Sequence, residues 1–234
     1  MRAEVPMTAQ EKSYAAEGGN MVPDKAVAVV AFPPGFTPQK AWPILVVFST
    51  SDFRRLNRND LVDFYRDSAM AEGWVVLAGD GPQFPRRDSS GWRAAMTLAA
   101  LDAFYKSFPG SIKWPVACAG YSGGAKRVGF ITPILALAGC RITGIYMTGI
   151  NEDRLTQGYK QYHPGAAFLD TPIFISSGRG DQVATIQQQH QVKLSLERTG
   201  FRRVRLENFP EGHVVKQVHV REALRWFRSV QDHP

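Results

Sequence analysis

Short apolar runs rich in β-branched residues alternate along the chain with longer stretches in which apolar residues recur at helical spacing. Proline and glycine separate many of these runs, as in the turn signal Pro33-Pro34-Gly35. The apolar runs predict strands over 27–32, 44–49, 74–78, 115–119, 142–147, 172–176 and 203–209. The helical stretches predict helices from Asn59 or Asp60 to Gly73, from Ser89 or Ser90 to the stop at Pro109-Gly110, and over 123–137, 185–198 and 218–230.

Strands that alternate with helices are typical of a mostly parallel sheet covered by helices on both faces. The pattern over residues 26–234 therefore predicts a single α/β domain, without a linker or an internal repeat. Residues 1–25 are expected to form an N-terminal extension that contributes at most a first edge strand. Pro133 is expected to kink or shorten its helix. Residues 148–171 are polar and irregular, which fits either a short helix with a small lid or a disordered surface loop.

Composition places the chain among ordinary globular proteins. It has 234 residues, of which 44% are apolar and 21% are charged. The longest apolar stretches, 44–48 and 131–138, are far shorter than the roughly 20 residues that cross a bilayer, so no membrane span is predicted. The first residues contain no apolar segment of the kind that a secretory signal requires. We expect either a cytoplasmic protein or an exported one whose signal has already been removed.

A net charge of +7 raises the question of nucleic-acid binding, since it attracts anions non-specifically. The basic residues are spread along the chain, and they include Arg54, Arg55, Arg86, Arg87, Arg202 and Arg203. No zinc-finger, RRM or KH signature accompanies them. A solvated basic surface is the favoured interpretation, so no nucleic-acid partner is predicted, whereas an anionic substrate stays open.

The chain carries no sequence signature of a cofactor. No H-E-x-x-H or C-x-x-C metal motif and no phosphate-binding loop occurs. The two cysteines, Cys118 and Cys140, lie in apolar surroundings and are interpreted as reduced core residues. We therefore predict neither a metal nor an organic cofactor.

One short motif carries candidate chemistry: Gly120-Tyr121-Ser122-Gly123-Gly124 matches the pattern G-x-S-x-G. On its own, such a pattern is more often a simple glycine-rich turn. Here it lies after a predicted strand and before a predicted helix, where the motif forms a sharp turn that exposes the serine. Ser122 is therefore a candidate nucleophile, and the free N–H groups at the start of the next helix favour a developing oxyanion.

A serine hydroxyl needs a base within hydrogen-bond reach to act as a nucleophile at neutral pH. His213 follows the predicted strand 203–209, so it emerges at the carboxyl edge of the sheet, as Ser122 does. The other histidines are predicted in helices, in the tail or in a solvated loop; they are His190, His219, His233 and His163. The sequence therefore predicts His213 as the general base.

The base needs a carboxylate to fix its tautomer and to stabilise its charged form. Asp181 lies just beyond the predicted strand 172–176, in the tight turn Ser177-Gly178-Arg179-Gly180-Asp181. Capping of the next helix is the alternative role for this side chain. Asp153, which follows the strand 142–147, is the alternative acid, whereas Asp170 enters its strand from the wrong end.

The sequence resembles the α/β-hydrolase superfamily over about residues 26–230. The resemblance lies in the G-x-S-x-G motif, called the nucleophile elbow in that superfamily, and in the chain order Ser122, Asp181, His213. The spacing of the three residues leaves no room for a large inserted cap. Within the superfamily the chain is similar to compact esterases, thioesterases and polyester depolymerases. The resemblance implies a hydrolase domain with little or no cap.

The resemblance also implies an oxyanion hole. The N–H of Gly123 would supply one donor, and the loop after the strand 44–49 would supply the other, from Thr50 or Ser51. Many members carry His-Gly in this loop, whereas this chain reads Phe48-Ser49-Thr50-Ser51-Asp52. The charge of Asp52 would oppose an oxyanion unless Arg54 or Arg55 pairs with it.

These features predict a serine esterase that cleaves a small-molecule carboxylic ester through an acyl-enzyme. A thioesterase or peptidase is the alternative, because thioesters and activated amides pass through a similar tetrahedral state. A binding protein that keeps the fold without turnover is the alternative from another class, motivated by the unusual loop after the strand 44–49. Tyr121, Phe53 and Trp92 are expected either to pack in the core or to line an acyl pocket.

Overall fold

The computed structural model describes residues 1–50, 55–84 and 89–232 of the chain. Its strands are β1 (Arg2–Pro6), β2 (Lys25–Ala31), β3 (Ile44–Phe48), β4 (Val75–Asp80), β5 (Val116–Tyr121), β6 (Ile142–Thr148), β7 (Ile173–Gly178) and β8 (Val204–Phe209). They form one sheet in the order β1-β2-β4-β3-β5-β6-β7-β8. Strand β2 is antiparallel to both of its neighbours, and β3 to β8 are parallel to one another. The predicted α/β class with a mostly parallel sheet is confirmed.

The helices cover both faces of this sheet. They are α1 (Ala9–Ala16), α2 (Asn57–Asp60), α3 (Arg66–Ala71), α4 (Ser90–Ser107), α5 (Gly123–Leu137), α6 (Arg154–Tyr162), α7 (Ile186–Thr199) and α8 (Gln217–Asp232). A π-helical turn (Leu61–Tyr65) joins α2 to α3, and 3₁₀ turns lie at Glu17–Gly19, Pro109–Lys113 and Ala166–Asp170. The π-helical turn, α3 and α8 share one apolar core with the sheet, and α1, α4, α5, α6 and α7 share the other. No helix of the described ranges is long and apolar enough to cross a membrane.

Central strand β3 explains why the inner strands of this sheet are continuous apolar runs in the sequence, without alternating polar residues. Ile44, Val46 and Phe48 enter the core beneath α4 and α5, whereas Leu45 and Val47 enter the core beneath the π-helical turn, α3 and α8. All five side chains are buried, because a strand covered on both faces has no solvent side. Each such burial contributes about 1.5–3 kcal/mol.

The helical segment after β3 begins earlier than the sequence predicts. Asn59 or Asp60 was the expected N-cap, but α2 begins at Asn57. The Asp80 carboxylate at the end of β4 accepts the N–H groups of Asn57, at 2.7 Å, and of Arg58, at 2.9 Å. A carboxylate at this position satisfies free helix donors and faces the positive end of the helix dipole. The cap therefore comes from a distant part of the chain, which a search for local capping residues does not find.

Two further expectations concern α5 and the segment that follows β6. Helix α5 runs through Pro133 to Leu137, so the proline does not shorten it. Within 148–171 the predicted short helix is confirmed as α6, and a disordered loop is wrong. Helix α6 packs closely on α5, since a Cβ at Gly158 would lie 2.9 Å from the carbonyl oxygen of Phe130. The segment therefore joins the helical layer, and the described residues build no separate cap domain.

Candidate active site

Ser122 occupies a sharp turn between β5 and α5. Its backbone has φ 55° and ψ −120°, a region that non-glycine residues seldom adopt. The turn is held by close packing: a Cβ at Gly120 would lie 2.1 Å from the Gly124 carbonyl oxygen, and one at Gly124 would lie 2.3 Å from that of Phe48. Only glycine fits at these two positions. The Ser122 N–H also donates to the Thr148 carbonyl at 2.9 Å, which fastens the turn to the end of β6.

The start of α5 presents unused donors beside the serine. Ser122 precedes the first residue of this helix, and no hydrogen-bond partner for the Gly123 N–H occurs among the described residues. Free N–H groups at a helix N-terminus carry partial positive charge. This end of α5 therefore favours an anion next to the Ser122 side chain.

Asp181 and His213 meet because the loops after β7 and β8 are bound to each other. The Arg179 N–H donates to the Phe209 carbonyl at 2.8 Å, and the Gly180 N–H donates to the Glu211 carbonyl at 3.2 Å. A Cβ at Gly178 would lie 2.3 Å from the carbonyl oxygen of Gly212, so the two loops touch directly. The glycines of the Ser-Gly-Arg-Gly-Asp turn thus permit this approach.

The Asp181 carboxylate is fixed on both of its oxygens. Oδ1 accepts the N–H groups of Val183 and Ala184, each at 2.8 Å, and Oδ2 lies 2.7 Å from Nδ1 of His213. Asp181 is only 5% exposed, so solvent screens this contact weakly. Oδ1 thus holds the turn that precedes α7, whereas α7 itself is capped by Thr185. The alternative helix-capping role of Asp181 is therefore wrong, and its Oδ2 contacts the histidine.

The imidazole of His213 lies beside the elbow. It packs against the ring of Tyr121, with ring centroids 4.8 Å apart. Its other neighbour is the backbone of Gly149, where a Cβ would lie 2.7 Å from Cε1 of the imidazole. No hydrogen bond between the Ser122 hydroxyl and His213 occurs among the described residues, and such bonds are often long before a substrate binds.

The other histidines occupy structural or exposed positions. His219, on α8, is buried and its Nδ1 lies 2.9 Å from Oγ of Ser176. His163 ends α6 in a left-handed conformation, and both it and His190 on α7 are exposed. His233 lies outside the described residues. None of the described three is bonded to Asp181.

Asp153, the alternative acid, is engaged elsewhere. Its Oδ1 accepts the Thr156 N–H at 2.9 Å and so caps α6, while its Oδ2 accepts the Ser195 hydroxyl at 2.6 Å. Asp170 forms a two-point ion pair with Arg202 on the exposed surface. Neither carboxylate contacts a histidine in the described parts of the chain.

The loop that follows β3 is held from below by two buried side chains. Arg127, in the second turn of α5 and 6% exposed, donates to the carbonyl of Ser49 at 2.5 Å and to that of Thr50. Asn57 accepts the Ser49 N–H at 2.9 Å. The adjacent charges Lys126 and Arg127 at the start of the mostly apolar helix α5 are a sequence signal that could have drawn attention to Arg127. Its partners could not be read from the sequence, because they lie 77 and 78 residues away.

A buried carboxyl faces the same loop. Burial raises the pKa of Asp60 to about 6, although Arg55 and the Thr50 N–H both favour its charged form. The Thr50 N–H, one candidate oxyanion donor, thus faces Asp60. Ser51, the other candidate, lies outside the described residues, as do Asp52, Phe53, Arg54, Arg86 and Arg87. Arg55 pairs with Asp60 and Asp63.

The predicted aromatic pocket residues separate into two roles. Trp92 is 2% exposed and belongs to the core beneath α4. Tyr121 is half-buried, and its hydroxyl donates to the carbonyl of His213 at 2.6 Å. Plain core packing is therefore wrong for Tyr121, and its hydrogen bond to the main chain of His213 is a contact that sequence reasoning missed.

Solved structures with the same architecture are found by comparison of folds. An α/β serine hydrolase without a lid from Xanthomonas campestris is similar over 99% of this chain and 94% of its own, with a TM-score of 0.63 and 14% identity. Est1E from Butyrivibrio proteoclasticus, solved with ferulic acid, covers 93% of this chain and 98% of its own, with a TM-score of 0.60 and 13% identity. The Bacillus cereus carboxylesterase covers 94% and 99%, with a TM-score of 0.55 and 17% identity. No protein-family model and no curated protein matches the sequence.

Proposed function

Since the chain has the α/β-hydrolase fold, we propose that it is a serine esterase with Ser122 as nucleophile, His213 as general base and Asp181 as the carboxylate that orients the base. The observation that carries the proposal is the 2.7 Å contact between Asp181 and Nδ1 of His213, beside a serine in a strained strand-to-helix turn. A buried carboxylate on Nδ1 leaves Nε2 as the ring nitrogen that accepts a proton.

The proposed reaction proceeds through an acyl-enzyme. Nε2 of His213 takes the proton of the Ser122 hydroxyl as its oxygen attacks the ester carbonyl. The tetrahedral oxyanion is stabilised by the Gly123 N–H and by a second donor from the loop that Arg127 holds. Of the two candidates, Ser51 is proposed ahead of Thr50, because the Thr50 N–H already faces Asp60. Collapse of this intermediate breaks the ester bond, and the imidazolium returns the proton to the departing alcohol. Water, activated by the same histidine, then releases the acid and restores the serine.

We propose an ester as the substrate class because the solved structures with this fold include a carboxylesterase and Est1E. The three residues by themselves do not select among acyl substrates, since thioesters and activated amides react through the same steps. The similarity to Est1E, whose structure holds ferulic acid, recommends esters of aromatic acids for inclusion among the substrates tested. We propose a small-molecule ester or other acyl compound as the substrate.

The first experiment compares hydrolysis of short and medium p-nitrophenyl esters, a hydroxycinnamate ester, a thioester and an anilide by the wild-type protein. Each catalytic variant has a matched control on the same residue type: Ser122→Ala with Ser195→Ala, Asp181→Asn with Asp153→Asn, and His213→Ala with His163→Ala. Loss of activity in the first member of each pair, with the controls close to wild type, is the expected result. Retained turnover in Ser122→Ala would exclude Ser122 as the nucleophile.

A fluorophosphonate probe separates the esterase from a binding protein with the same fold. The esterase predicts covalent labelling that disappears in Ser122→Ala and falls sharply in His213→Ala, because the probe reports the activated serine directly. An unreactive serine at neutral pH, together with no turnover of any substrate, would refute the proposal and favour the binding protein.

A further inference from the structure

Tyr121, the residue before the nucleophile, contacts the base in two ways. Its hydroxyl donates to the main-chain carbonyl of His213 at 2.6 Å, and its ring packs against the imidazole with centroids 4.8 Å apart. Phe64 packs edge-on against the Tyr121 ring, with centroids 5.4 Å apart. The tyrosine is therefore itself held, and it contacts both the side chain and the main chain of His213.

Two further contacts restrict the same imidazole. The backbone of Gly149 lies against it, so that even a Cβ there would be 2.7 Å from Cε1 and 2.9 Å from Nδ1. Asp181 fixes Nδ1 at 2.7 Å. These contacts restrain the ring by packing and by its own hydrogen bond. The Tyr121 hydroxyl restrains something different, which is the main chain of the loop that carries the histidine.

We propose that Tyr121 is a positioning residue for the base: its hydroxyl ties the His213 main chain to the residue that adjoins the nucleophile and so keeps Nε2 within reach of Ser122. This inference rests on the esterase function proposed for the same site. Because Tyr121 and Ser122 are adjacent in the same turn, any movement of this turn also moves the hydroxyl that is bonded to the His213 main chain. The distance between nucleophile and base is then set within one rigid unit rather than between two independent loops.

The Tyr121 hydroxyl keeps its proton at neutral and mildly alkaline pH. Burial, followed by the nearby Asp181 carboxylate, raises the pKa of Tyr121 above its ordinary value of 10.0. A protonated phenol remains a donor to the His213 carbonyl at neutral and mildly alkaline pH. This hydrogen bond is therefore present at neutral and mildly alkaline pH.

Tyr121→Phe is the decisive variant, because it keeps the ring contacts and removes only the donor. We expect kcat to fall roughly 3- to 10-fold, the range that corresponds to loss of one neutral hydrogen bond, with KM within about twofold of wild type. The rate of fluorophosphonate labelling should fall by the same factor. Tyr105→Phe is the matched control, since the Tyr105 hydroxyl is half-buried too but contacts Cys140 at 3.6 Å, far from the base.

A second readout does not depend on activity. In ¹H–¹³C spectra of the histidine rings, assigned with His213→Ala, the His213 signal should shift or broaden in Tyr121→Phe, while that of His219 stays in place. Wild-type kinetics and an unchanged His213 signal in Tyr121→Phe would overturn the inference with the esterase intact. If the wild-type protein is neither active nor labelled, the esterase proposal fails. The His213 signal then still decides the inference, since a shift in Tyr121→Phe supports the anchor and an unchanged signal overturns it.

Discussion

A methyl group added at Gly149 would collide with the imidazole of His213. The new Cβ would lie 2.7 Å from Cε1, whereas carbon atoms in contact prefer about 3.5–4.0 Å, so the ring must move by roughly 1 Å. The residue also has φ +61°, where an alanine costs about 1–2 kcal/mol more than glycine. Gly149→Ala therefore combines a backbone cost with a displacement of the proposed base.

The two effects have different expected sizes. A displacement of about 1 Å at a reacting group can cost about 100-fold in rate, which equals about 2.7 kcal/mol of transition-state stabilisation. The backbone cost of about 1–2 kcal/mol lowers the melting temperature by about 2–8 °C in a protein of this size. The imidazole can avoid the new methyl group by rotation about its side-chain bonds, which moves it from its position beside Ser122, so the collision is expected to appear mainly in kcat.

Gly35→Ala isolates the backbone effect. Gly35 has a similar φ of +73°, and a Cβ there meets nothing within 4 Å. Both variants should lose similar stability in thermal denaturation, but only Gly149→Ala should lose about 100-fold in p-nitrophenyl ester turnover. Wild-type kcat in Gly149→Ala, or an equal loss in Gly35→Ala, would refute the assignment of His213 as a base held against this backbone.

Two other predictions concern buried polar groups. Arg127→Met removes the donors to the carbonyls of Ser49 and Thr50. Steady-state kinetics should show kcat lowered about 10- to 100-fold with little change in KM, and Arg127→Lys should recover part of this loss. Full turnover in Arg127→Met would contradict a role of Arg127 in holding the loop. Burial lowers the pKa of His219 below 6.5, so the stability that its neutral form contributes is present above pH 6.5 and is lost as the pH falls through the lowered pKa. In urea denaturation, the difference in unfolding free energy between wild type and His219→Asn should therefore become smaller from pH 7 to pH 5. A difference that does not vary with pH would show that His219, which is bonded to Ser176, is not kept neutral by the fold.

The candidate triad could be predicted from the sequence because its information is local. Ser122, Asp181 and His213 each follow directly after an apolar run, and the carboxyl ends of parallel strands share one edge of the sheet. The elbow motif needs only five consecutive residues, with glycines where the backbones approach closely. Neither argument requires any knowledge of which helix packs where, so the α/β class and the three candidate residues follow from the order of residues along the chain.

The contacts that support those residues depend on the tertiary structure. Asp80 caps a helix whose first residue lies 23 positions earlier, and Arg127 reaches a loop 77 positions away. The Tyr121 hydroxyl donates to the carbonyl of His213, 92 positions along the chain, a contact that the apolar pattern around Tyr121 does not indicate. The periodicity of apolar residues indicates which face of a helix or strand is buried, but it does not indicate which other segment packs against that face. The order of residues along the chain is therefore sufficient to predict the fold class and the candidate catalytic residues. The contacts that hold these residues in place depend on the packing of distant segments, because each contact joins residues that no local sequence pattern relates.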